Sequence, residues 1–164
     1  MPFHQLKTDN INRVSPCFVE EVEVGVYVFH TKANVVYSVS FKEDMEIAGF
    51  QSYQLIIERI SEKCGYDADV QTTVITIIRE FFDQNNDILL YICDTKDGRE
   101  LYRNKLFLKW FEGNDNDKSY VIKTANTYVD GEGLFFAIIF KKANKKCHEI
   151  IMEFDEVAKY LTSK

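Results

Sequence analysis

The chain has 164 residues, of which 46% are hydrophobic and 14% aromatic, with seven glycines and two prolines. That length suits one domain with a substantial core, and the composition excludes a disordered or low-complexity chain. A net charge of −6 argues against a protein that coats nucleic acid through bulk electrostatics, so nucleic acid is not an expected partner.

Residues 1–16 are polar and read as an irregular segment ending at Ser15-Pro16. Gly25 to Thr31 and Val35 to Phe41 are rich in β-branched and aromatic residues and flank Lys32-Ala33-Asn34, which predicts a hairpin with Asn34 in the left-handed conformation. In its second arm Tyr37, Val39 and Phe41 are expected to face the core, with Ser38 and Ser40 outward. Ser52 to Ile60 fits either period and is read as a third strand. Val70, Val74, Ile77, Ile78 and Phe81 recur at helical spacing, giving a helix over Asp69 to Asp83 with Asp67 or Asp69 at its N-terminus. Asp87 to Cys93 is a nearly continuous apolar run, the mark of a strand covered on both faces and central in its sheet.

Arg99 to Phe111 is the next helix, ended by the turn-forming run Glu112 to Asp117. Tyr120 to Tyr128 and Leu134 to Lys141 form a second hairpin around Asp130-Gly131-Glu132-Gly133. Cys147, Ile150, Ile151, Phe154, Val157, Ala158 and Leu161 then mark a terminal helix. The order βββαβαββα predicts a single α+β domain over 1–164, with a largely antiparallel sheet and about three packed helices.

Cys17, Cys64, Cys93 and Cys147 are widely spaced, with no CxxC pair and no Cys/His cluster of structural-zinc spacing, so four reduced thiols are expected. The N-terminus lacks the apolar core of a signal peptide, and no stretch approaches the roughly 20 apolar residues of a membrane span. A cytoplasmic protein is the reading; an effector secreted by a signal-independent route would look the same.

Chemistry-bearing residues concentrate between Cys93 and Phe111. Asp94, Asp97, Gly98, Arg99 and Arg103 gather at a strand-to-helix junction. In its plain role, Asp97 is the N-cap and Glu100 the third helical position, an acidic version of the capping box. In its functional role, Arg99 and Arg103 lie four apart on one helical face, and two guanidinium forks at a helix start could bind a phosphate or carboxylate. Asp94 and Asp97 would pair with those arginines, or hold a metal together with Glu80 or Asp83. No metal site and no cofactor is expected, because GxxxxGK[ST], GxGxxG, HExxH and GxSxG are all absent. Cys93 could serve as a nucleophile only if His30 or His148 lay beside it. Lys96, Arg99, Arg103, Lys105 and Lys109 outnumber Asp97 and Glu100 and form a local basic patch within 96–109, while Lys141-Lys142-Ala143-Asn144-Lys145-Lys146 reads as a solvated loop. Tyr102, Phe107, Trp110 and Phe111 surround so much of their helix that some are expected to leave an apolar patch for a protein interface.

The run Cys93-Asp94-x-x-Asp97-Gly98-Arg99-x-x-x-Arg103-x-x-Leu106-Phe107-x-x-Trp110-Phe111, after Tyr27-x-Phe29-x-Thr31 and Tyr37-x-Val39-x-Phe41, resembles an uncharacterised domain family of Bacteroidota genomes. Tyr102 departs from its pattern, which favours a small residue before the arginine. The resemblance implies a small bacterial protein and transfers no mechanism. The expected function is a non-enzymatic domain that binds a protein partner or itself through the helix at 99–111. The alternative is a ligand sensor or enzyme acting on a phosphorylated compound at the Asp94/Asp97/Arg99/Arg103 junction. A role in phage defence or in a toxin and antidote pair suits a small bacterial protein, with no residue supporting it directly.

Overall fold

The computed structural model describes residues 3–60, 68–94, 98–115, 118–129 and 132–162, the side chains at 93–94, 98–104, 127–129, 132 and 160–162 excepted. Among the described residues the protein is α+β, with a mostly antiparallel seven-stranded sheet and four helices. In chain order these are α1 (Thr8–Val14), β1 (Val19–Glu23), β2 (Val26–His30), β3 (Val36–Ile47), β4 (Phe50–Arg59), α2 (Ala68–Gln84), β5 (Ile88–Asp94), α3 (Gly98–Gly113), β6 (Tyr120–Val129), β7 (Glu132–Lys141) and α4 (Cys147–Thr162). The sheet order is β1-β2-β3-β4-β5-β7-β6. Two elements exceed the predicted order. The segment expected to be irregular contains α1, which makes four helices rather than about three, and β1 precedes the first predicted hairpin.

The chain divides into two compact units, one of Met1–Glu43 with Leu55–Asn85 and one of Asp44–Gln54 with Asn86–Lys164. In the first, β2 and β3 pair antiparallel from Val26↔Ser40 to His30↔Val36. Their turn is the predicted one: Asn34 has φ 63°, and Thr31 both donates its N–H to Val35 O and accepts the N–H of Asn34. Val39 and Phe41 are buried as expected. Tyr37 is only half-buried, its ring stacked on Phe29 at 5.6 Å, while Ser38 is buried.

The centre of this unit is aromatic. Phe81 of α2 stacks on Phe41 at 4.8 Å and meets the rings of Phe3 at 5.6 Å and Phe82 at 5.3 Å. Gly25, at φ +79°, turns β1 into β2, and a Cβ there would sit 3.1 Å from the Phe3 ring. The glycine therefore serves both the turn and the close approach of the N-terminal segment.

That segment is held by Glu80, a buried carboxylate on α2. It accepts the N–H of Lys7 at 3.0 Å, the Asn10 amide at 3.2 Å and the Gln84 amide at 3.1 Å. Three donors offset the cost of removing a carboxylate from water. Beside it the Tyr27 hydroxyl accepts the N–H of Leu6 at 3.3 Å. Burial, reinforced by its hydrogen bond to Glu21, pushes this phenol well above its ordinary pKa, so it stays neutral.

In the second unit, β5 pairs parallel with β4 over Ser52–Gln54 and antiparallel with β7 from Leu89↔Ile139 to Asp94↔Leu134. The continuous apolar run thus lies inside the sheet, as its composition implies. On one face Ile47, Ile88, Leu90, Phe136, Ile138 and Phe140 pack with Ile150 and Phe154 of α4. Side chains of β7 alternate, so Phe135 points the other way, where Lys105 of α3 lies over its ring at 5.3 Å. Helices α3 and α4 therefore cover opposite faces.

Two local devices fix this unit's connections. Ala48 (φ 52°) and Gly49 (φ +84°) form the two-residue turn between β3 and β4, and Glu153 of α4 accepts the Ala48 N–H. The buried Asp115 carboxylate accepts the N–H groups of Ser119 at 2.8 Å and Tyr120 at 3.0 Å, which sets the start of β6. The predicted turn residues Asn116, Asp117, Asp130 and Gly131 lie outside the described residues, as do Cys64 and Asp67.

Candidate functional site

Backbone geometry places the predicted junction at the carboxyl end of β5. Asp94 closes β5, and Gly98 opens α3. Helix starts favour anions, and the parallel pairing of β4 with β5, Ser52–Gln54 with Ile88–Leu90, ends four residues before Asp94. Asp97 lies outside the described residues, as do the side chains of Asp94, Arg99, Tyr102 and Arg103, and with them the predicted cap and ion-pair network. Of the accessory acids, Glu80 is committed to Lys7, Asn10 and Gln84 in the first unit. Among the described residues no three His, Cys, Asp or Glu side chains gather as metal ligands.

The aromatic residues of α3 divide sharply. Phe107 and Phe111 are buried at 8% and 1% exposure, and Phe111 also meets the Tyr120 ring at 5.4 Å. Little of their surface is left for a partner, and Trp110 is half-buried. His30 and His148 are both exposed, while the Cys93 side chain lies outside the described residues.

Exposed apolar side chains gather instead in the first unit, at the edge of the sheet. Phe18 is 67% exposed and Val24 85%, with Val14 and Val22 also open to solvent. A groove of about 820 Å³ runs beside them, lined by Asp9, Asn12, Arg13, Phe18, Glu20 and Glu21 among others. Helix α1 forms one wall and β1 the other. The Asn12 side chain joins them, donating to Val19 O at 2.9 Å and accepting the Val19 N–H at 2.8 Å.

Sequence reasoning missed this surface because Cys17 to Val24 showed no strand pattern. Its acids dilute the β-branched residues, and the register shift between Glu21 and Glu23 interrupts the alternation. The available signal was the pair of exposed valines, Val22 and Val24, among glutamates.

A family model described as a family of unknown function, DUF6169, matches residues 66–156, more than half of the chain. The chain belongs to that family. The result agrees with the expectation of a domain family without an assigned activity. The matched stretch takes in β5 and α3 and leaves out α1 and β1. No match is found among the curated proteins. One solved structure, "Crystal structure of a putative phosphinothricin N-acetyltransferase", is similar over 71% of this chain and 70% of its own, at 16% identity and a TM-score of 0.43. No helix among the described residues is long and apolar enough to cross a membrane.

Proposed function

We propose that this chain is a protein-docking domain whose contact surface is the α1–β1 edge of its first unit. The observation that supports this most is the grouping of solvent-exposed Phe18, Val22 and Val24 on one edge strand and the turns that flank it. Single exposed apolar residues are ordinary, but several together beside a groove are the usual mark of a recognition surface. Relative to the sequence-based expectation, the contact element moves from α3 to β1, because Phe107 and Phe111 are buried.

A photo-crosslinking amino acid at position 18 or 24 tests this reading in cells, with position 152, also open at 51% exposure, as the control. The expected result is an adduct at 18 or 24 whose protein partner, once purified, binds wild type and loses at least tenfold on Phe18→Asp/Val24→Asp. Equal labelling at all three positions would sink it.

A second reading has its own support. The β5–α3 junction sets a helix start beyond the carboxyl end of β5 and lies inside the family-matched stretch, which favours a phosphorylated ligand held by Arg99 and Arg103 with Asp94 and Asp97. The protein would then be a sensor or an enzyme for that compound. Thermal unfolding of wild type and Arg99→Ala/Arg103→Ala against nucleotides, phosphate and sugar phosphates decides it. Ligand at 100 times its dissociation constant adds about 2.7 kcal/mol, several degrees for a chain of this size. A shift confined to wild type supports the site; no shift across the panel removes it.

A further inference from the structure

We infer that the α1–β1 groove receives an extended, basic segment of another protein, which adds to the sheet as a strand beside β1. This rests on the docking reading above and names the chemistry of the partner.

The backbone argument begins at Val19. It pairs with Phe29 across the sheet, yet its own N–H and C=O are both taken by the Asn12 side chain. In an antiparallel pair, residues alternate between exchanging hydrogen bonds with the partner and pointing those groups away. Val19 is of the second kind, and the Asn12 amide takes the place of a neighbouring strand there. Two residues on, Glu21 pairs with Tyr27 and by the same alternation turns its N–H and C=O to the open edge. That edge is the outermost of the sheet on this side. An extended chain continuing the line set by Asn12 meets these groups, which is the geometry of recognition by strand addition.

The side chains select which chain. Phe18, Glu20 and Val22 alternate onto one face, all exposed, so an incoming strand finds apolar contacts interrupted by a carboxylate. The groove carries Asp9 and Glu20 against a single guanidinium, Arg13, and Glu23 extends the acidic line, while the Glu21 carboxylate is held by the Gln5 amide and the Gly25 N–H. A segment with Lys or Arg at alternate positions satisfies this field. A second copy of the same edge does not, because it would set glutamates against glutamates. Charges and a bulge on an exposed edge also discourage indiscriminate pairing, so the register shift after Glu21 limits how far an added strand runs.

The test is selection of a displayed library of ten-residue segments against the full chain, with counter-selection on Glu20→Lys/Glu23→Lys. Both positions are exposed, so the variant is expected to fold as wild type does. Enriched segments should carry Lys or Arg at alternate positions and bind at least tenfold more weakly to the double variant. They should also weaken as salt rises and slow exchange of the Glu21 amide. Arg13→Glu, which removes the groove's guanidinium, should tighten the same segments and keeps the inference open to refutation if the double variant misfolds. Enrichment of neutral or acidic segments, apolar residues at helical spacing, self-association of the chain lost in the double variant, or no enrichment would each overturn it. An adduct at position 18 alongside such a result leaves docking standing and removes only the basic strand. Absence of both removes the two together.

Discussion

Phe81→Ala is expected to destabilise the protein by about 3–5 kcal/mol, lowering the unfolding midpoint by roughly 10 °C. Phe81 is fully buried and touches the rings of Phe3, Phe41 and Phe82. Truncation leaves a cavity with aromatic walls fixed by a helix and a strand, so little of it can collapse. The N-terminal segment should loosen as well, since Phe3 loses a ring that it rests on. Phe18→Ala is the matched control: at 67% exposure its removal should change stability by less than about 0.5 kcal/mol. Urea unfolding of the two variants reads the difference. A Phe81→Ala midpoint within error of wild type would show that this aromatic cluster does not hold the unit.

The second large effect is expected at Glu80. Its carboxylate lies in the interior and serves the Lys7 N–H, the Asn10 amide and the Gln84 amide. Glu80→Ala leaves the first two as donors without this acceptor, at about 1–3 kcal/mol each in the worst case, and a total of about 3 kcal/mol is expected. The consequence is local before it is global. Helix α1 has seven residues and buries only Ile11, too little to stand alone in water. Amide exchange over residues 8–14 should therefore accelerate in Glu80→Ala at temperatures where α2 remains protected. Glu80→Gln keeps an oxygen for the Lys7 N–H and should recover more than half of the loss. Unchanged protection of α1 in Glu80→Ala would refute the role given to this carboxylate.

What could be read from the sequence follows how each element is stabilised. Helix α2 and strands β5 and β7 bury continuous or periodic apolar faces, and their residues announce it: Val74, Ile77, Ile78 and Phe81 on the helix, Ile88 to Tyr91 on the strand. The β2–β3 turn was legible because Asn34 is one of the few non-glycine residues at ease in the left-handed region. Helix α1 was not, because what holds it is Glu80, a residue distant in the chain. Strand β1 was hidden by its own acids, which repel one another in a peptide and are tolerated here only because the edge faces water.

The candidate sites follow the same division. A reader of sequence sees residue types, so Asp94, Asp97, Arg99 and Arg103 stand out, and so do the aromatics of α3. Burial decides which of them can meet a partner, and it withdraws Phe107 and Phe111 into the interior. The groove beside β1 depends on α1 lying against a strand, a juxtaposition that no local pattern encodes.

The clasp of Asn12 on Val19 also bears on how copies of the chain meet one another. Only seven residues separate the two. Loops of about that length close in roughly 10–100 ns, far sooner than pairings that join distant strands. Contact between the two is therefore frequent even in the unfolded chain, and it becomes lasting once Glu80 of α2 anchors α1. Once so held, the outer rim of β1 presents neighbouring molecules with a shortened sticky edge, which lowers the chance of strand exchange between them.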